Sequence, residues 1–154
     1  MIRVGIIGCG RISDLHAAAY HHFKHATITA IADPNKDNRT TRGEAWNVPE
    51  SARFADAADL LARDDVDMVE VLVPHDLHEQ ITEQAAAAGK HIALQKPMAM
   101  DVAQCQRIID AATSAGVTLK VFENFVFYPP IQRARDLIDA GEIGDVLSIR
   151  LKSA

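Results

Sequence analysis

The residues Gly8-Cys9-Gly10-Arg11-Ile12-Ser13 follow an apolar run and open a stretch of helical periodicity. The pattern is GxGxxS. Gly8 permits a tight turn. Gly10 lets the backbone approach a pyrophosphate with no Cβ in the way. Ser13 takes the third-glycine position, where a small residue allows close helix–strand packing. Main-chain N–H groups near Arg11 and Ile12 then face the anion, aided by the helix dipole. A second apolar run, Thr27 to Ala32, ends at Asp33, 20 residues after Ser13. That is the spacing of a carboxylate that accepts hydrogen bonds from a ribose. The loop alone is weak evidence; strand, loop, helix and terminal acid together specify a dinucleotide site. A carboxylate there repels a 2′-phosphate, so NAD is favoured over NADP. Lys36 and Arg39 nearby leave NADP as the alternative.

Such a site needs alternating strands and helices to position it. Apolar runs occur at Ile2 to Ile7, Thr27 to Ala32, Ala52 to Phe54, Met68 to Val73, His91 to Leu94 and Val117 to Phe122. Helical stretches separate them. Arg11 to Phe23 places Ile12, Leu15, Ala18 and Ala19 on one face. Asp37 to Asn47 has Asp37 as its expected N-cap. Asp56 to Ala62 is short. Asp76 to Ala88 closes at Gly89, and Asp101 to Ala115 closes at Gly116 after a capping-box pair, Asp101 and Gln104. Continuous apolar strands, each followed by a helix, predict an α/β fold: a doubly wound parallel sheet of Rossmann type, order 3-2-1-4-5-6.

The rhythm changes after Phe122. Residues 1–122 read as the dinucleotide-binding domain, and residues 123–154 as a connecting helix and the first strand of a further, missing domain. Ile131, Ala134, Leu137 and Ile138 share a helix face, Gly141 to Gly144 is a turn, and Val146 to Lys152 alternates like a half-buried strand. That strand needs a partner, so a homo-oligomer is expected.

The bulk properties exclude several classes. A 48% hydrophobic content is that of a globular chain. The net charge is −5 with no basic patch, which argues against nucleic acid. No apolar run reaches the roughly 18 residues of a membrane span, and no export signal is visible. Cys9 and Cys105 lack CxxC spacing and read as free thiols of a cytoplasmic protein. His21 and His25 stand at i and i+4, but without further ligands they read as a solvated helix end, and no metal is expected.

The segments VGIIGCGRISDLHAAAY, ADPN, LLARDDVDMVEVLVPHDLHEQITEQAAAAGKHIALQKPMA and GEIGDV together resemble the N-terminal half of the glucose–fructose oxidoreductase/inositol dehydrogenase (Gfo/Idh/MocA) family. Members typically carry Thr-Pro-Asn-x-x-His after strand four and Glu-Lys-Pro after strand five. The matching positions are Val73, Pro74, His75 and His78, then Gln95, Lys96 and Pro97. The resemblance implies an NAD(P)-dependent dehydrogenase acting on a sugar or polyol. It places Lys96 beside the nicotinamide and the reacting hydroxyl, as a buried ammonium that helps ionise that hydroxyl. It puts Val73, Pro74, His75, His78, Gln95 and Asn124 on the cofactor side. Read without it, Lys96 is a solvated lysine and His78 a helix-start residue with a local hydrogen bond.

Several positions depart from the family pattern. Val73 loses a hydroxyl, His75 replaces asparagine, and Gln95 replaces glutamate, so it can bond a ribose hydroxyl without charge. Phe125 and Val126 stand where arginines are common. The Asp and His of the family's second domain have no counterpart here, so this chain is expected to be inactive alone. Two other functions share parts of this pattern. A non-catalytic NAD(H)-binding or assembly module uses the same fold. A methyltransferase would carry an acidic residue before the loop, and the first strand has none.

Overall fold

The computed structural model describes residues 1–150. Short β-branched and aliphatic runs become strands β1 (Ile2–Ile7), β2 (Ala26–Ala32), β3 (Arg53–Phe54), β4 (Met68–Val71), β5 (His91–Leu94) and β6 (Leu119–Val121). Every pairing between them is parallel, and the order is β3-β2-β1-β4-β5-β6. This is the expected doubly wound order. Val4, Ile6, Ile31, Val69, Val71, Ile92 and Leu94 are all at most 2% exposed, which places the core on the central strands. Full burial of each such side chain is worth about 1.5–3 kcal/mol.

The register decides where chemistry can sit. Phe54 pairs with Ala32, Ala32 with Ile7, Ile7 with Val71, Val71 with Leu94, and Leu94 with Val121. The carboxyl ends of all six strands therefore lie on one line. In sheets of this topology ligands bind beyond that line, where the strand order reverses. Here the reversal falls between β1 and β4.

The helices are α1 (Ser13–His22), α2 (Lys36–Ala45), α3 (Ala57–Leu61), α4 (His78–Ala87), α5 (Val102–Ser114) and α6 (Pro129–Asp139). Two expectations are corrected. The buried side of α1 is Ser13 and Ala17, not Ile12, Leu15, Ala18 and Ala19; Leu15 is 72% exposed. Two small residues one turn apart let the helix lie close to the sheet, and half-buried His16 and Tyr20 complete that side. The cap of α2 is Asn35, not Asp37: its Oδ1 accepts from the N–H groups of Asp37 and Asn38 at 2.8 and 3.2 Å. At α5 the capping pair forms, with Asp101 Oδ1 accepting from Gln104 N and Gln104 Oε1 accepting from Met100 N. Gly89 and Gly116 follow their helices with positive φ.

The chain divides into two compact units, residues 1–122 and the residues from Glu123 onward. The second unit begins with a single 3-10 turn, Asn124–Phe127, and continues as α6, where Ile131, Leu137 and Ile138 are half-buried and Ala134 is exposed. The expected strand is absent over Val146–Arg150, and Leu147 and Ile149 are 96% and 72% exposed. An isolated alternating segment has no ladder to join, so its pattern alone does not make a strand. The last part of that segment, Leu151 and Lys152, lies outside the described residues. No helix among the described residues is long and apolar enough to cross a membrane.

Candidate dinucleotide site

β1 ends at Ile7, and the chain turns at once. Gly8 has φ +99°, and a Cβ there would stand 2.7 Å from the carbonyl carbon and oxygen of Leu72. The first loop is thus pressed against the loop after β4, on both sides of the order reversal. Gly8 N donates to Ala32 O at 2.8 Å, and Leu72 N donates to Ile7 O at 2.8 Å. The fold itself demands glycine at position 8.

Gly10 is different. A Cβ there would meet nothing within 4 Å, and its φ is not positive. Among the described residues no atom explains its lack of a side chain. Arg11 and Ile12 are exposed beside this open face, just before α1 starts at Ser13; the Ser13 and Leu15 N–H groups are already bonded, to Gly10 O and Ile12 O, each at 3.1 Å. Ser13 is fully buried, and its hydroxyl donates to Gly10 O at 2.5 Å, which fixes the loop from below. These features fit a pyrophosphate against the loop.

Asp33 follows β2 and is 8% exposed. Its Oδ2 accepts from Cys9 N at 2.7 Å, and its Oδ1 accepts from Asn35 N at 2.8 Å. Asn38 Nδ2 also reaches both oxygens, but only at 3.5 Å, so a ribose hydroxyl that displaces this long contact finds an acceptor while the two short bonds hold the loop. Arg39 reaches back to the carbonyl oxygens of Asp33 and Pro34 at 2.6 and 3.0 Å. Its guanidinium is therefore engaged with main chain beside the acid. Cys9 is buried, and burial, followed by the charge of Asp33, pushes its thiol up to about 12.

The β4 and β5 loops meet through His78. This side chain is fully buried at the start of α4, with Nδ1 2.9 Å from Pro97 O and Nε2 3.1 Å from Val73 O. It ties the Val73-Pro74 turn to the Lys96-Pro97 turn, whose peptide bond is cis. Pro74 and His75 are exposed and Val73 is half-buried at the same edge, and the His75 ring lies edge-on to His78 with centroids 5.4 Å apart. Gln95 spends its amide internally: Oε1 accepts from Lys96 N at 2.8 Å, and Nε2 lies 3.0 Å from His16 Nε2. Lys96 is exposed, not buried as the family resemblance implied, because the residues of this unit leave the end of β5 uncovered. Asn124 belongs to the second unit and is exposed.

Sequence reasoning brought Gly8, Gly10, Arg11, Ile12, Asp33, Val73, Pro74, His75, His78, Gln95 and Lys96 to one end of one sheet. It missed His16, Tyr20 and Glu70, which gather behind Gln95. The available signal was Glu70, a carboxylate within the apolar run of β4.

A parallel sheet with its glycine turn, an open Gly10 and an acid closing β2 define a nucleotide-binding Rossmann domain. The family model described as "Oxidoreductase family, NAD-binding Rossmann fold" (GFO_IDH_MocA) matches residues 2–123, and the chain belongs to that family. D-apiose dehydrogenase of Paraburkholderia graminis is 33% identical over 139 residues, which are 90% of this chain and 36% of that protein. A mutant of KijD10, a 3-ketoreductase from Actinomadura kijaniata solved with TDP-benzene and NADP, superposes with a TM-score of 0.86 at 32% identity, covering 94% of this chain and 44% of that one. The scyllo-inositol dehydrogenase of Lactobacillus casei, solved with NAD(H) and scyllo-inositol, gives 0.86 at 26% identity, covering 94% and 43%. The chain thus spans less than half the length of each of these relatives.

Proposed function

We propose that this chain is the cofactor-binding part of an oxidoreductase that moves a hydride between a nicotinamide dinucleotide and a secondary hydroxyl of a sugar or polyol. The observation that carries the reading is the contrast between Gly8, which the fold requires, and Gly10, which faces open space among the described residues and leaves room for a ligand. The loop N–H groups near Arg11 and Ile12 hold the pyrophosphate, and Asp33 accepts from the adenosine ribose. A bound nicotinamide supplies the hydride acceptor or donor. Lys96, at the carboxyl end of β5, places a positive charge where a hydroxyl loses its proton during oxidation and regains it during reduction. Residues beyond the share of the relatives matched here complete the substrate side, so these 154 residues bind cofactor without steady turnover.

In this reading NAD is preferred, because the Asp33 carboxylate at the end of β2 would repel a 2′-phosphate; the relatives include proteins solved with NAD(H) and with NADP. A second reading is a non-catalytic NAD(H)-binding module, favoured by the exposure of Lys96. Side-by-side titration with NADH, NADPH and S-adenosylmethionine tests the binding claim. Saturable NADH binding is expected. Binding of S-adenosylmethionine alone, or of none of the three, overturns it.

A further inference from the structure

Behind Gln95 lies a line of polar side chains whose hydrogen-bond direction can be assigned from one end. Lys96 N–H is a fixed donor, and it points at Gln95 Oε1 at 2.8 Å. The Gln95 amide nitrogen must then face the other way, toward His16 Nε2 at 3.0 Å. An amide nitrogen only donates, so His16 Nε2 is the bare nitrogen and the ring proton sits on Nδ1. Nδ1 lies 3.2 Å from Glu70 Oε2. That contact does not meet hydrogen-bond geometry, and Oε2 is buried with no hydrogen-bond partner among the described residues. Glu70 Oε1 accepts from Tyr20 O–H at 2.6 Å.

The surroundings make the arrangement rigid. Glu70 is 3% exposed at the centre of the sheet, between β1 and β5. Burial and then the Glu70 carboxylate hold the Tyr20 hydroxyl well above the usual phenol range, so it stays a donor. Phe122 stands edge-on to the His16 ring at 4.7 Å between centroids and limits its rotation. Tyr20 satisfies Oε1 alone, so the unsatisfied Oε2 beside Nδ1 favours the ring form that carries its proton on that side.

We propose that His16, held in its Nδ1–H form by Glu70, is a positioning residue that orients the Gln95 amide and through it the main chain of Lys96. The inference rests on the proposed role of Lys96 for its purpose in catalysis, but the hydrogen-bond direction itself does not. It explains why a polar histidine, and not the more apolar Leu15, occupies the inner side of α1. It also assigns Gln95 a role that glutamate could not fill in the same way, since a carboxylate has no proton to donate to His16 Nε2.

The test uses the full 154-residue chain labelled with 15N in its histidines. Long-range 1H–15N spectra at pH 7 are expected to show His16 with a bare Nε2 and a protonated Nδ1. In Gln95→Glu, Nε2 is expected to gain a proton, because the ring then stands between two acceptors. In His16→Ala, exchange of the Lys96 amide is expected to speed up about tenfold, the loss of roughly one oriented hydrogen bond, while amides of β1 and β4 keep their protection. A protonated Nε2 in the wild type overturns the proposal, as does unchanged Lys96 exchange in His16→Ala. If loss of protection spreads to β1 and β4, that variant reports unfolding, and the Gln95→Glu spectrum decides alone. NADH binding is measured on the same sample. Binding with a protonated Nε2 defeats the positioning role of His16 but not the cofactor site. A bare Nε2 without NADH binding does the reverse.

Discussion

The main-chain N–H of Cys9 donates to Asp33 Oδ2 at 2.7 Å, stitching the glycine turn to the end of β2. In the proposed site this one carboxylate has two duties, holding the loop and presenting an acceptor to a ribose. The two duties predict a coupled phenotype. Asp33→Ala leaves the buried Cys9 N–H and the Asn35 N–H without acceptors, at a cost of about 1–3 kcal/mol for an unsatisfied buried group. The same change removes the repulsion toward a 2′-phosphate. Thermal melts are expected to show a lower Tm, and titrations at low temperature a narrower gap between NADH and NADPH. Unaltered stability would contradict the hydrogen bond. Tighter NADPH binding by the wild type would contradict the cofactor preference.

The two loop glycines separate folding from binding. Gly8→Ala puts a Cβ 2.7 Å from Leu72 main chain at φ +99°. It is expected to cost about 3 kcal/mol or more, or to prevent folding. Gly10→Ala meets no protein atom, so its stability should lie within about 0.5 kcal/mol of wild type. Its NADH affinity should nonetheless fall at least about tenfold, or about 1.4 kcal/mol. Urea unfolding and fluorescence titration of both variants check this. Full NADH affinity in Gly10→Ala would remove the main argument for the pyrophosphate site.

Cys9 sets an alkaline limit. Its thiol is held near 12 in the folded chain against an ordinary 9.0, by burial and then by Asp33. Above pH 9 the unfolded chain releases this proton while the folded chain retains it. The unfolded state then binds fewer protons, so stability falls as pH rises from about 9 to about 12. Cys9→Ala should flatten part of that decline in urea midpoints taken across the range. Tyr20, raised in the same direction, adds to it, and Tyr20→Phe should remove its share. At pH 8, Cys105 should alkylate and Cys9 should not while the chain is folded; equal labelling would show that the turn opens.

Lys96→Met tests the chemistry apart from binding. The substitution keeps the length of the stem and removes the charge. In a protein that joins this chain to a substrate side like that of its longer relatives, it should lower kcat by about 100-fold or more, the scale of a lost acid–base or electrostatic group, with NADH affinity changed little. The 154-residue chain itself should show no steady NAD reduction with polyols. Measurable turnover by this chain would overturn the proposal that its substrate side lies outside these residues.

The expected C-terminal strand can be tested by size. The apolar side chains Leu147 and Ile149 are exposed. If they pair with a second copy, light scattering should show a dimer that is lost in a chain ending at Asp145. Monomers in both cases would end the expectation of a homo-oligomer built on this segment.

The elements that the residues alone determined share one property: their signal is local. Apolar runs bounded by Gly, Pro and Asp located five of the six strands to within a few residues, and β3 as a two-residue piece of its expected run. Right-handed crossovers then left one sheet order. The GxGxxS turn and Asp33 are each set by backbone geometry over a few positions, so they too were visible. What failed was non-local. The inner face of α1 could not be chosen by hydrophobicity, because the sheet beneath it selected small Ser13 and Ala17 for close approach and paired His16 and Tyr20 with a buried acid on β4. Glu70 lies 54 residues from His16 and 25 from Gln95 in the chain, and only the parallel register brings the three together. The same holds for Lys96, whose exposure depends on what covers the end of β5. The alternation of Val146 to Lys152 is a local pattern as well, but a strand needs a neighbour to bond with, and a neighbour is decided by the assembled fold.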